Sequence, residues 1–259
     1  NCSATPSRRS LGPARSTWAP PNAPSSPWRS ASTPERPALA AVLFDWDGTL
    51  VDSAEASYRS YVRLFASFGI RFDRALFEAT YSPDWRRTYE QVGLPRERWI
   101  DADALWLDLY DEEEARLLPG AAEAVARLRS AGLAMAVVTS GSRARVAREV
   151  ARFGFGDFFG ALVCSEDAER KKPHPEPLEL GLSRLGVRAE AAACVGDSPE
   201  DVEMARAAGV FSVGVPGGFP NREALRSARP DLWAAGLSEA VDELLLRAPS
   251  APPGQARDN

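Results

Sequence analysis

Four aspartates, a Thr-Ser pair and one lysine stand at or just beyond the ends of short apolar runs. Asp45 and Asp47 follow the run at 39–44, Thr139 and Ser140 the run at 133–138, and Asp197 the run at 192–195, with Asp201 four residues on. Lys172 comes after a weaker run at 161–164. Carboxylates grouped this way suit a hard divalent cation, while a hydroxyl, backbone N–H groups and an ammonium suit phosphate oxygens. Asp45 and Asp47 are two residues apart, so on an extended segment both carboxylates face one way. Taken alone, that pair points no further than metal or phosphate binding, because an aspartate at a strand end is also an ordinary turn or N-cap residue.

The elements that must position these groups are legible in the spacing. The apolar runs at 39–44, 133–138, 161–164, 192–195 and 210–215 read as buried strands. Helix-period stretches at 121–130, 143–153, 177–185 and 199–208 lie between them, and Gly132 and Gly186 stand where helix stops belong. Strands alternating with helices predict an α/β fold, a Rossmann-like parallel sheet core with helices on both faces and right-handed crossovers. Ligands in such a sheet sit beyond the carboxyl ends of the strands. The aspartates, the hydroxyls and Lys172 are therefore expected on one rim. Residues 53–118 are too long for one crossover helix, and their apolar spacing predicts an inserted all-helical cap domain. The core is then 39–52 and 119–247. The Pro-rich stretches at 1–38 and 248–259 lack apolar periodicity and are expected to be disordered.

Composition narrows the class. The 259 residues carry a formal net charge of −5, which argues against a general nucleic-acid binder. No apolar stretch reaches the roughly 18–20 residues a membrane span needs, and the N-terminus has no secretory core. The odd cysteine count and absent metal-ligand spacing read as reduced, buried thiols. A cytoplasmic enzyme is the expectation, with no membrane partner and with monomer and dimer both open.

Four segments carry a specific resemblance: Asp45-Trp46-Asp47-Gly48-Thr49, Val138-Thr139-Ser140-Gly141, Lys172-Pro173-His174-Pro175 and Gly196-Asp197-Ser198-Pro199-Glu200-Asp201. In that order, over residues 39–247, the sequence resembles the haloacid dehalogenase-like (HAD) hydrolase superfamily. It is most similar to the helical-cap phosphatase branch, which includes phosphoglycolate phosphatases and beta-phosphoglucomutase-like proteins. The resemblance implies hydrolysis of a small phosphorylated metabolite, with Asp45 as nucleophile through an aspartyl phosphate. It implies Mg²⁺ held by Asp45, the backbone carbonyl of Asp47 and Asp197, with Asp201 bound through water or orienting that shell. Asp47 is implied as general acid–base, Lys172 as counter-charge, and Thr139 or Ser140 as the phosphate-binding hydroxyl. Thr49 is expected to bond back to Asp47, Trp46 to pack, Lys171 to be solvated and His174 to help aim Lys172.

Departures from the pattern separate the branches. Asp47 favours phosphate esters over dehalogenation. No lysine lies between Asp52 and Pro119, which argues against a phosphonate-cleaving Schiff base, and no histidine lies near Ser57, which argues against a mutase. A beta-phosphoglucomutase-like phosphotransferase and a catalytically silent binding protein of the same fold remain as alternatives. Phosphoglycolate-like and sugar-phosphate-like substrates are both open. Arg86, beside Arg87, is either a substrate-binding residue for a carboxylate or second phosphate, or a surface arginine.

Overall fold

The computed structural model describes residues 37–249 apart from Pro83, so most of the two Pro-rich stretches lie outside the described residues. In chain order the elements begin with β1 (Ala41–Phe44), β2 (Val51–Asp52), α1 (Ala54–Ser67), α2 (Arg74–Thr80), α3 (Trp85–Gln91), α4 (Trp99–Asp111) and β3 (Arg116–Leu117). They continue with α5 (Ala121–Ser130), β4 (Ala134–Val138), α6 (Arg143–Arg152), β5 (Ala161–Val163), α7 (Glu176–Leu185), β6 (Ala192–Gly196) and α8 (Pro199–Ala207). The last are β7 (Phe211–Gly214), α9 (Arg222–Ser227), β8 (Leu232–Trp233) and α10 (Leu237–Leu245).

Six strands form a sheet in the order β5-β4-β1-β6-β7-β8, and every pairing in it is parallel. The reason the strands read as unbroken apolar runs is visible in the packing. Val42 and Phe44 join one core with α5 and α10 residues, while Ala41 and Leu43 join another with α7 and α8 residues. Successive side chains point to opposite faces, so a strand covered on both faces must be apolar throughout. Helices therefore cover both faces of the parallel sheet, as the spacing predicted.

Helices α1–α4 connect the first sheet strand to the fifth helix and build a separate core from Tyr61, Leu64, Phe65, Phe72, Phe77 and Tyr89, among others. This segment is tied at its neck by β2 and β3, which pair antiparallel through Val51 opposite Leu117 and Asp52 opposite Arg116. That antiparallel pair and β8 escaped the sequence reading because two-residue strands carry no periodicity.

β1 lies between β4 and β6. The chain works outward through β4 and β5 on one side, then crosses to β6 on the other. The carboxyl ends of β1 and β6 thus meet where the winding reverses, the place where such sheets bind ligands.

Candidate active site

At the end of β1 the Asp45 N–H still donates to the Val195 carbonyl at 2.9 Å, so the sheet itself fixes the backbone of Asp45. Its carboxylate meets Lys172, whose Nζ lies 2.7 Å from Asp45 Oδ1 and 2.7 Å from Asp201 Oδ1. Thr49 Oγ1 donates to Asp45 Oδ2 at 3.2 Å. That corrects the expectation for Thr49, which holds Asp45 rather than Asp47. The chain turns back within the stretch 46–51, bringing the hydroxyl under the first aspartate.

Asp201 has two tasks. It closes a capping box on α8, accepting from the Ser198 N–H at 3.2 Å and the Ser198 hydroxyl at 2.6 Å, while its other oxygen holds Lys172. Gly196 makes room for this, since a Cβ there would collide with the Asp201 side chain. Gly48, at φ +83°, serves the neighbouring carboxylate in the same way, since a Cβ would collide with Asp197 Oδ2 and the Phe219 ring.

Asp47 is held by a residue that sequence reasoning missed. Arg145 of α6 grips its carboxylate with both terminal nitrogens, Nη1 to Oδ1 at 3.0 Å and Nη2 to Oδ2. Behind it Glu149, one turn along α6, accepts from Arg145 Nη1 at 3.1 Å and from the Trp46 indole at 2.7 Å. Trp46 is fully buried against Phe153 and Phe159, so its ring packs as expected while its N–H completes the network. A signal existed in the sequence. Arg145 and Glu149 each precede a valine of the apolar stripe, Val146 and Val150, so the pair borders the buried face. A charged i,i+4 pair is nevertheless solvated by default, and only the position of α6 against the rim buries it.

One cavity of about 340 Å³ gathers these groups. Asp45, Asp47, Thr139, Ser140, Lys172, Asp197 and Asp201 all line it, as does Arg145. Thr139 is buried and its Oγ1 accepts from the Gly141 N–H at 3.0 Å, leaving the hydroxyl proton free to donate. Ser140 is half-buried. The opposite wall is the helical segment, with Ser57, Tyr61, Trp85 and Asp103 among its residues. Arg86 does not line the cavity. It is exposed, its guanidinium 5.9 Å from the ring of Trp85. Lys171 is exposed and caps the Ser165 and Ala168 carbonyls, and His174 Nδ1 accepts from the Glu176 N–H.

The electrostatics call for a cation. Burial, opposed by Lys172 and reinforced by Asp201, pushes the Asp45 carboxyl up to about 7. Burial, and then the charges of Asp45 and Asp201, raise Asp197 well above the usual carboxylate range. Burial alone would lower Lys172, yet Asp201 and Asp45 raise it, so it stays charged. One ammonium cannot neutralise three buried carboxylates. Ligand oxygens of Asp45, Asp197 and Asp201 lie within 4.8 Å of one another, and Asp197 Oδ2 is buried with no hydrogen-bond partner among the described residues. An all-oxygen set of this kind fits a hard divalent cation. The Asp47 carboxylate, turned to Arg145, stands apart from the three.

Fold and site together define a capped parallel α/β protein with a carboxylate–lysine centre at its switch point. The model of the haloacid dehalogenase-like hydrolase family matches residues 42–215. A phosphoglycolate phosphatase from Pectobacterium atrosepticum is 34% identical over 216 residues, 76% of this chain and 89% of its own. A phosphoglycolate phosphatase from Yersinia pseudotuberculosis is 31% identical over 219 residues, 81% of this chain and 94% of its own. Among solved structures, CbbY from Rhodobacter sphaeroides in complex with phosphate superposes with a TM-score of 0.68 at 26% identity, covering 78% of this chain and 96% of that one. The chain belongs to the haloacid dehalogenase-like hydrolases.

Among the described residues, no helix is long and apolar enough to cross a membrane.

Proposed function

We propose that this hydrolase is a magnesium-dependent phosphatase that cleaves small phosphate monoesters through an aspartyl phosphate on Asp45. The observation that carries this reading is the ammonium of Lys172 set 2.7 Å from both Asp45 and Asp201, beside the unpartnered Asp197 oxygen. A nucleophilic carboxylate facing a phosphate needs positive charge on both sides of it. Lys172 supplies one, and Mg²⁺ held by Asp45, Asp197 and Asp201, with the Asp47 carbonyl as a further ligand, would supply the other as a Lewis acid. Phosphate bound in the relative CbbY supports the same use of the fold.

An Asp45 oxygen attacks phosphorus and the bond from phosphorus to the ester oxygen breaks. Asp47 gives its proton to the departing alkoxide. Water then attacks the aspartyl phosphate, Asp47 takes a proton from it, and the Asp45 carboxylate is released with inorganic phosphate. Thr139, with its free hydroxyl proton, and Ser140 hold phosphate oxygens, and Lys172 stabilises the charge on the transferring group. Arg145 orients the Asp47 carboxylate in its ionised form, the form that takes a proton from the attacking water, and one arm of the fork must open when Asp47 carries the proton it gives the alkoxide.

Hydrolysis is favoured over phosphotransfer within the ester because α1, AEASYRSYVRLFAS, contains no histidine to act as a second acid–base. Relatives named phosphoglycolate phosphatase put 2-phosphoglycolate on the list of esters to test. The test is phosphate release from a panel of phosphorylated metabolites with Mg²⁺, comparing the native chain with Asp45→Asn. Release that survives Asp45→Asn would sink the mechanism. Full release in excess EDTA would remove the metal.

A further inference from the structure

We propose that the helical wall of the cavity selects phosphate esters whose alcohol carries a positive charge, an ammonium group above all, and disfavours those bearing a second anion. The inference rests on the phosphatase reading and narrows its substrate, away from the carboxylate-bearing ester named for the relatives.

The helical wall carries Tyr61, Tyr81, Trp85, Tyr89 and Trp106, and Tyr81 stacks at 4.5 Å on Phe219, which lies beside Asp197 Oδ2. One charged residue stands among these rings, Asp103 on α4. Its Oδ1 accepts from the Trp85 indole at 2.7 Å, which fixes the carboxylate against the aromatic wall. Asp103 has no cationic partner among the described residues, in contrast to the acids on the rim. Its charge reaches the cavity. Burial first, then Asp103, raises the Tyr61 hydroxyl above its ordinary pKa.

Among the described residues the cations lining the cavity are Lys172 and Arg145, and the ammonium and the two terminal guanidinium nitrogens already face carboxylates. Lys172 lies between Asp45 and Asp201, and Arg145 between Asp47 and Glu149. Arg86, the arginine expected to meet a substrate carboxylate, is exposed outside the cavity. With its phosphate at Asp45, a substrate carrying a carboxylate would put that group near ring faces and Asp103, with no cation beside them among the described lining residues. The negative faces of aromatic rings attract cations, and more strongly when desolvated. An ammonium would find those faces and the Asp103 carboxylate together.

The test is steady-state phosphate release by the full chain with Mg²⁺ from phosphocholine, glycerol 3-phosphate and 2-phosphoglycolate, one cationic, one neutral and one anionic alcohol. The expected order of kcat/KM is cationic, neutral, anionic, with at least about a tenfold gap between first and last. In Asp103→Asn, which keeps an acceptor for Trp85, the ratio of phosphocholine to 2-phosphoglycolate should collapse toward one. A neutral or anionic ester used as well as phosphocholine overturns the inference, as does an unchanged ratio in Asp103→Asn. The native ratio alone decides should that variant fail to fold. p-Nitrophenyl phosphate separates the two readings. If it is cleaved in an Asp45-dependent way while the charge order is reversed, only the selection fails. If no ester is cleaved, the phosphatase reading fails and takes this inference with it.

Discussion

Replacing Arg145 with methionine tests whether the unforeseen network behind Asp47 is structural, mechanistic or both. The substitution removes the guanidinium from Glu149, whose side chain is only 9% exposed, and from Asp47, whose side chain is 25% exposed. Water can reach Asp47, so most of the cost falls on Glu149, which keeps the Trp46 indole as its donor. Breaking a buried pair by removing one partner costs about 3–5 kcal/mol, and that remaining bond places the expectation near 3 kcal/mol. Burial already raises the Glu149 carboxyl, with Arg145 opposing it, so removing Arg145 should raise it further. The double variant Arg145→Met/Glu149→Gln removes both charges and keeps an acceptor for the buried Trp46 indole, so it should recover stability to within about 1 kcal/mol of the native chain. Activity should not follow stability. Both variants leave Asp47 without its fork, and kcat should fall about 10²-fold in each, the lower end of what a positioned acid–base contributes. Urea denaturation gives the first quantity and phosphate release the second. If the double variant regains kcat along with stability, Arg145 has no role in holding Asp47. If Arg145→Met unfolds at the native urea midpoint, the pair is not buried as described.

Other outcomes follow from the same geometry. In the folded, metal-free chain the Asp45 carboxyl, ordinarily near 3.8, keeps its proton to about 7. Between those pH values the folded state binds more protons than the unfolded one, so stability falls as pH rises through the window, by on the order of 4 kcal/mol from Asp45 alone. Mg²⁺ should remove that slope, so urea midpoints in EDTA and in Mg²⁺ should diverge more at pH 7.5 than at pH 5; a metal-free protein that gains stability with pH would contradict it. Lys172→Met leaves Asp45 and Asp201 facing each other, and kcat for phosphate release should fall at least about 10³-fold. A loss under tenfold would place Lys172 outside the chemistry. Gly48→Ala puts a methyl group into Asp197 Oδ2 at a left-handed backbone position, so Mg²⁺ affinity by calorimetry should drop about tenfold or more. Native affinity there would mean that Asp197 does not bind the ion.

Much of this protein is determined by local sequence. Strands β1, β4 and β6 are apolar throughout because both faces are covered, so their existence and their parallel pairing follow from the runs alone. The aspartates at 45, 47 and 197 are legible for a related reason: a charged residue that follows a buried strand emerges at the sheet's rim, whereas Lys172, nine residues past β5, is legible only through its motif. What the tertiary structure decided is which charges meet. Thr49 turned to Asp45 rather than Asp47 because the chain folds back on itself directly after β1. Arg145 and Glu149 read as a solvated helical pair, and only the seating of α6 against the rim makes them the clamp on Asp47. Arg86 offered the right chemistry for an anionic substrate, but α3 leaves it facing out while Trp85 and Asp103 face in. Spacing along one element tells which residues share a face. Which face is turned toward another element depends on contacts between residues 98 or 103 positions apart, and those exist only once the chain has folded.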